Sequence, residues 1–293
     1  VPNQRPVPNL RRRRLGRAVR ELRHAAGLSL EAAAREMGPG WRDTKLSRIE
    51  NANARLLAKD VGPLLRVYGV EDPAIVRSLE ALARDAHKAG WWQAYGRVVG
   101  SNYGDYLTLE ADASEVRVNA PQIIPGVLQT AQYAREIIAA TGAWLTPDEV
   151  NALAELRMGR KAVFNHRPGR EPLRLWAVLN ESSLYQDSAT SPLMMRDQIR
   201  HLLDVTELPN ITVQIMDMHA TANAGQLNLF EIVRFSDPWP TVVNLDNLTG
   251  GFFLEGDANV AVYERAFDQI VAAALPVDKS RAKMTDIMNG YAK

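Results

Sequence analysis

The chain has 293 residues, 46% hydrophobic and 24% charged, a balance that excludes disordered, collagenous and fibrous classes and suffices for a full core. The absence of cysteine excludes a disulfide framework, a thiolate nucleophile and Cys-ligated zinc or iron–sulfur centres. The net charge of +1 hides an asymmetry: residues 1–90 carry 18 Lys/Arg against 10 Asp/Glu, net +8, and residues 91–293 carry 17 against 24, net −7, so a polyanion partner is expected for the first part only.

The polar start, Val1-Pro2-Asn3-Gln4-Arg5, lacks the apolar core of a signal peptide, and no apolar run nears the ~20 residues of a membrane span. The expected location is the cytoplasm, with no membrane partner. Residues 1–9, with Pro2, Pro6 and Pro8, are expected to form a flexible arm. Arg11, Arg12, Arg13 and Arg14 have two readings: a mobile extension on phosphate or the minor groove, or the basic first turn of a helix.

Leu15, Val19, Leu22 and Ala26 recur at helical steps, and Gly27 marks the helix end. Ser29 is the expected N-cap of a second helix reaching Met37, broken by Gly38-Pro39-Gly40. A third helix fits Arg42 to Asn51, with Asp43 as cap and Leu46 and Ile49 turned inward. Thr44, Lys45, Ser47 and Arg48 then face outward, spaced as on a helix laid in a major groove. Further helices are expected over Lys59–Tyr68 and Asp72–Lys88.

The segment Leu15–Val70, through Leu22-Arg23-x-x-x-Gly27-Leu28-Ser29 and Lys45-Leu46-Ser47-Arg48-Ile49-Glu50-Asn51, resembles the phage-repressor/Cro-like (XRE-class) helix-turn-helix family. The resemblance implies a DNA-binding surface of Arg42, Asp43, Thr44, Lys45, Ser47, Arg48 and Asn51, with Ser29 near a phosphate. It also implies a structural ion pair between Arg23 and Glu50. Three features depart from the family: a turn about two residues longer at Gly38-Pro39-Gly40-Trp41, Leu30 for a common Gln, and Ala52 where Gly usually follows Asn51.

Between Gly90 and Tyr106 the aromatics Trp91, Trp92, Tyr95, Tyr103 and Tyr106 alternate with glycines, and no regular helix is expected there. Such a cluster fits a ligand cleft or a single-strand grip, and packing of one domain on the next is the favoured reading. Beyond it come a β-like Glu115–Ile124, helices at Ala131–Thr141 and Pro147–Asn165, a strand at Leu173–Leu179 and a helix at Met194–Thr206. Strand-like runs follow at Ile211–Ile215, Leu227–Val233 and Thr241–Val243, with turn signals at Asp237-Pro238 and Gly250-Gly251, and then helices at Ala258–Ala274 and Lys279–Asn289. The expected fold is an all-α five-helix helix-turn-helix domain over 10–90, then an α+β domain with a partly antiparallel sheet over 91–293.

Pro125-Gly126-Val127-Leu128-Gln129-Thr130 with Tyr133-Ala134-Arg135 is similar to the hallmark element of a domain of unknown function attached to actinobacterial helix-turn-helix regulators. Glu181-x-x-Leu184, the Met195–Leu203 segment, Pro209–Gln214 and Gly250-Gly251-Phe252 follow in the same order. Asp217, where proline is frequent, and Asn244-Leu245-Asp246, where a Tyr-x-Glu element is common, depart from that pattern. Such regulators are antitoxin-like, so the resemblance implies a small protein partner encoded nearby.

His24, His87, His166, His201 and His219 are scattered without metal-ligand spacing, and the nucleotide-binding and hydrolase glycine motifs are missing. Glu181 with Asp187, or His201 with Asp204, are the only acid–base pairs worth naming, and such pairs are usually solvated faces. No enzyme activity, metal or cofactor is expected. The sequence reads as a dimeric regulator binding a double-stranded DNA operator, with Trp91, Trp92, Tyr95, Gln129, Trp176 and Phe252 as candidate pocket residues for a small ligand or partner. The rival reading is an interaction protein that sequesters a small partner and binds DNA only for autoregulation.

Overall fold

Side-chain caps at Ser29, Asp72, Thr130 and Thr146 set four of the helix starts in the computed structural model. It describes residues 10–86, 90–142, 144–165, 167, 169–188, 191, 193–236, 239–247 and 251–291, apart from the Arg97 side chain. The expected arm over residues 1–9, His87, Lys88, His166, the Asp237-Pro238 turn and Gly250 lie outside the described residues. The chain divides into two compact units, Val1–Trp91 and Trp92–Lys293.

The first unit contains α1 (Leu10–Ala25), α2 (Leu30–Met37), α3 (Asp43–Glu50), α4 (Ala58–Val67) and α5 (Pro73–Asp85). Ser29 Oγ accepts from Ala32 N at the start of α2, and Asp72 Oδ1 accepts from Ala74 N ahead of Pro73, whose missing N–H costs nothing in a first turn. Arg11–Arg14 lie in the opening turns of α1, with Arg14 buried. The cap of α3 is corrected: Arg42 holds the extended cap position without a side-chain bond, and Asp43 is the first helical residue. Val19, Leu46, Ile49, Leu64, Leu65 and Leu79 supply the apolar interior.

The second unit carries a six-stranded mixed sheet in the order β3-β2-β1-β4-β5-β6. The strands are β1 (Glu115–Ala120), β2 (Arg174–Asn180), β3 (Ile211–Met216), β4 (Phe230–Arg234), β5 (Val242–Leu245) and β6 (Phe252–Leu254). The first three pair in parallel, joined by α7 (Ala131–Thr141) with α8 (Pro147–Arg160) and by α9 (Met194–Val205), while β4, β5 and β6 continue antiparallel. The result is an α+β fold. Phe230, Ile232 and Val243 pack with Phe267 and Ile270 of α10 (Asp257–Ala273), and α11 (Val277–Gly290) closes the chain.

Two expectations are corrected. The aromatic segment is helical: a 3-10 helix over Trp91–Val98, kinked where Gly96 takes φ 58, precedes α6 (Ser101–Asp112). Tyr103, Tyr106, Leu107 and Glu110 recur at helical steps in α6, a period masked by the interspersed glycines. Trp92, Tyr95 and Tyr103 pack with Leu107 and Leu156 inside the second unit, which gives these side chains a core role there. The strand expected to reach Ile124 stops at Ala120, where Pro121 cannot donate to a ladder, and the short β6 had no expected counterpart.

Candidate nucleic-acid interface

The candidate reading helix is fixed from behind before it presents anything outward. Leu46, Ile49 and Glu50 are its buried positions, and α1 approaches closely at Gly16, where a Cβ would lie 2.6 Å from Ile49 O and 2.7 Å from Glu50 O. Arg23 donates from Nε to Glu50 Oε1 at 2.7 Å and from Nη2 to Oε2 at 2.8 Å, a buried two-point bond, and from Nη1 to Leu28 O at 2.7 Å. The hydrogen bond to Glu50 holds the Arg23 guanidinium charged, above its ordinary pKa, against the burial that opposes it.

At the other end of α3, Arg20 Nη2 donates to Asn51 Oδ1 at 2.6 Å, and Asn51 Nδ2 donates to Ser47 O at 2.8 Å. Asn51 thus ties α1 to the end of α3. Arg42, Asp43, Thr44 and Arg48 are exposed, and Lys45 and Ser47 are half-buried. Thr44 and Arg48 lie opposite the buried stripe, with Ser47 flanking them, given 100° per residue. Lys45 is drawn aside: its Nζ stands 4.0 Å from the Trp41 ring centroid and donates to Gly40 O at 3.3 Å. Ser29 is exposed, its Oγ engaged as the α2 cap, and Arg11, Arg12 and Arg13 are half-buried on α1.

The six candidate pocket residues do not converge on one site. Trp92 and Tyr95 share the cluster with Leu107 and Leu156, while Trp91 is exposed on the 3-10 helix. Trp176 on β2 donates from Nε1 to Gln214 Oε1 at 2.8 Å and meets Phe267 edge-on. Phe252 lies on the edge strand β6, 61% exposed. Gln129 is a clasp: Nε2 donates to Ile124 O and Oε1 accepts from Arg157 Nη1, both at 2.7 Å. Its neighbour Thr130 donates from its backbone to Gln198 Oε1 at 2.7 Å, and Gln198 Nε2 returns to Leu128 O at 2.8 Å.

An interior polar cluster in the second unit was missed by sequence reasoning. Arg160 donates to Glu110 through Nε at 2.8 Å and Nη2 at 2.6 Å, and Tyr106 Oη lies 3.1 Å from both Glu110 Oε1 and Glu231 Oε1. Asn244 Nδ2 donates to Glu231 Oε2 at 2.9 Å. Burial pushes the Glu231 carboxyl up to about 7, against the opposing pull of the Asn244 bond and of Arg160. A helical reading of residues 101–112 was the one available signal, since it stacks Tyr103, Tyr106 and Glu110 on one face.

The named acid–base pairs serve other partners. Glu181 is held by Lys283 Nζ at 3.0 Å and accepts from Met218 N. His201 Nε2 lies 2.8 Å from Lys161 Nζ, and burial followed by the Lys161 charge lowers its pKa. No group of three or more potential metal ligands occurs among the described residues, and no helix there is long and apolar enough to cross a membrane.

Residues 14–87 match the family model of a helix-turn-helix domain, and residues 103–286 match that of a domain of unknown function, DUF5753. No curated protein and no solved structure matches the chain.

Proposed function

The chain belongs to the DUF5753 family, and from that premise, joined to its helix-turn-helix domain, we propose that it is a transcriptional regulator that reads a DNA operator as a homodimer. The observation that carries this reading is α3 itself: a helix anchored by the buried Arg23–Glu50 bond, with Thr44, Ser47 and Arg48 on its free side. Thr44 and Ser47 offer hydroxyl donors and acceptors, and Arg48 offers the fork that matches guanine O6 and N7. Ser29, Arg42 and the basic opening of α1 serve the phosphates, and Asn51 positions the helix. The net charge of +8 over residues 1–90 favours a polyanion.

Two such units bind half-sites about one DNA turn apart, so whatever changes their separation changes operator affinity. In this reading residues 10–90 bind DNA, and residues 91–293 receive the input, a small ligand or a small partner protein, without catalysis. The XRE-class and antitoxin-like resemblances support that division.

The test is selection of duplexes from a random pool by the full chain. An enriched sequence with two-fold symmetry is expected, and Arg48→Ala or Thr44→Ala should relax base preference at single positions, at about 1–3 kcal/mol each. Unchanged preferences in both variants would place the reading face elsewhere.

A further inference from the structure

We propose that Trp41 is a DNA-contacting residue held in place by Lys45, and that Lys45 is a positioning residue and not a base reader. The inference rests on the operator-binding reading above and divides its surface more finely.

The extended turn before α3 has a defined shape. Gly38 and Gly40 take φ +78 and +90, values that L side chains rarely adopt, and Trp41 N donates to Gly38 O at 3.2 Å. The turn thereby delivers Trp41 to the start of α3, half-exposed. Lys45, one helical turn on, folds back over it, with Nζ 4.0 Å from the ring centroid and 3.3 Å from Gly40 O. An ammonium committed to the ring and to that carbonyl has its stem bent along the helix, away from the outward direction in which Thr44 and Arg48 extend. Reading a base edge needs that stem extended and both local contacts broken.

The indole has the opposite character. Its Nε1–H donates to no group among the described residues, so a half-exposed indole with an uncommitted donor stands next in the chain to the exposed Arg42, at the start of the helix that carries Arg48. A neutral N–H at such a place suits a phosphate oxygen of the operator backbone, a contact that fixes register without carrying sequence information. Lys45 acts through the ring: it fixes the indole plane and fills one of its faces, leaving the N–H edge to the DNA.

The test uses the full chain and the duplexes that the wild type selects from a random pool. Trp41→Leu should weaken binding to all duplexes alike, by about five-fold, the usual worth of one hydrogen bond. Lys45→Ala should weaken binding in the same direction with base preference unchanged, Lys45→Arg should restore it, and the double variant should bind no worse than Trp41→Leu. Both side chains are partly exposed, outside the buried stripe of α3, and melting temperatures close to wild type are expected. A base preference altered at one position by Lys45→Ala, or effects of the two substitutions that multiply, would overturn the inference while leaving operator binding intact. A wild type that selects no sequence would remove the operator reading and this inference with it.

Discussion

Glu231 lies in the interior of the second unit with Tyr106 Oη and Asn244 Nδ2 on its two oxygens, while the neighbouring Glu110 holds Arg160. One tyrosine hydroxyl proton cannot serve both carboxylates at 3.1 Å at once, and the second contact is satisfied when Glu231 carries a proton. Burial is the main cause of its raised pKa; the groups facing it are Tyr106 and Glu110 from α6, Arg160 from α8, and Asn244 and Asp246 from and beside β5, of which Asn244 and Arg160 favour the charged form and the two acids oppose it. The carboxyl is raised from an ordinary 4.5 to about 7, which corresponds to about 3 kcal/mol. Because the folded value is the higher one, this stability is present below the unfolded pKa and is lost as pH rises from about 4.5 through about 7. Glu231→Gln keeps a donor for Tyr106 and an acceptor for Asn244 and cannot ionise. It should melt close to wild type at pH 5 and above it at pH 8, and an equal difference at both values would show that Glu231 is ionised throughout.

The β3 edge of the sheet is closed by the end of the chain's last helix pair. On β3, Leu275 N donates to Ile215 O at 2.9 Å, and the fully buried Ser280 Oγ accepts from Ile215 N at 2.9 Å and donates to Leu275 O at 3.0 Å, so α11 closes that edge. Ser280→Ala leaves the Ile215 N–H buried without an acceptor and should cost about 1–3 kcal/mol by denaturant unfolding. A change below a few tenths would mean that water replaces the hydroxyl. Ser280 was not legible in the sequence, because a serine in a helical run shows nothing of a strand that lies distant in the chain. Elements with local signals were legible: Ser29 caps α2 as expected, and the helices expected from Ala131 and Pro147 start there, behind a Thr130 cap and a Thr146–Glu149 capping box that had no expected counterpart. The hallmark Pro125–Thr130 was legible as a motif and not as a structure. Gly126 is required because a Cβ there would sit 2.8 Å from Arg160 Nη1, a guanidinium already pinned by Glu110, and Gln129 and Thr130 tie the loop to α8 and α9. At α3 the outward residues followed from periodicity, but the withdrawal of Lys45 onto Trp41 depends on the longer turn and could not be read from spacing.

At the scale of the molecule, residues 1–90 and 91–293 differ in net charge, +8 against −7, and in architecture, helices against a mixed sheet. Each unit has its own interior, closed in the first by Gly16 and the Arg23–Glu50 bond and in the second by the sheet with its helices. A chain of this kind should not unfold as a single two-state system. Calorimetry of the full chain should resolve two transitions, with the larger enthalpy in the second unit because enthalpy scales with residues unfolded. Gly16→Ala drives a methyl against the backbone oxygens of Ile49 and Glu50 and should lower only the smaller transition, by about 1–3 kcal/mol of overpacking strain. Ser280→Ala should lower only the larger one. A selected operator duplex, binding the folded first unit and not its unfolded chain, should raise the smaller transition in proportion to the logarithm of its concentration. A single transition moved by both substitutions would instead make the chain one cooperative body, in which DNA bound to the first unit stabilises the sheet of the second.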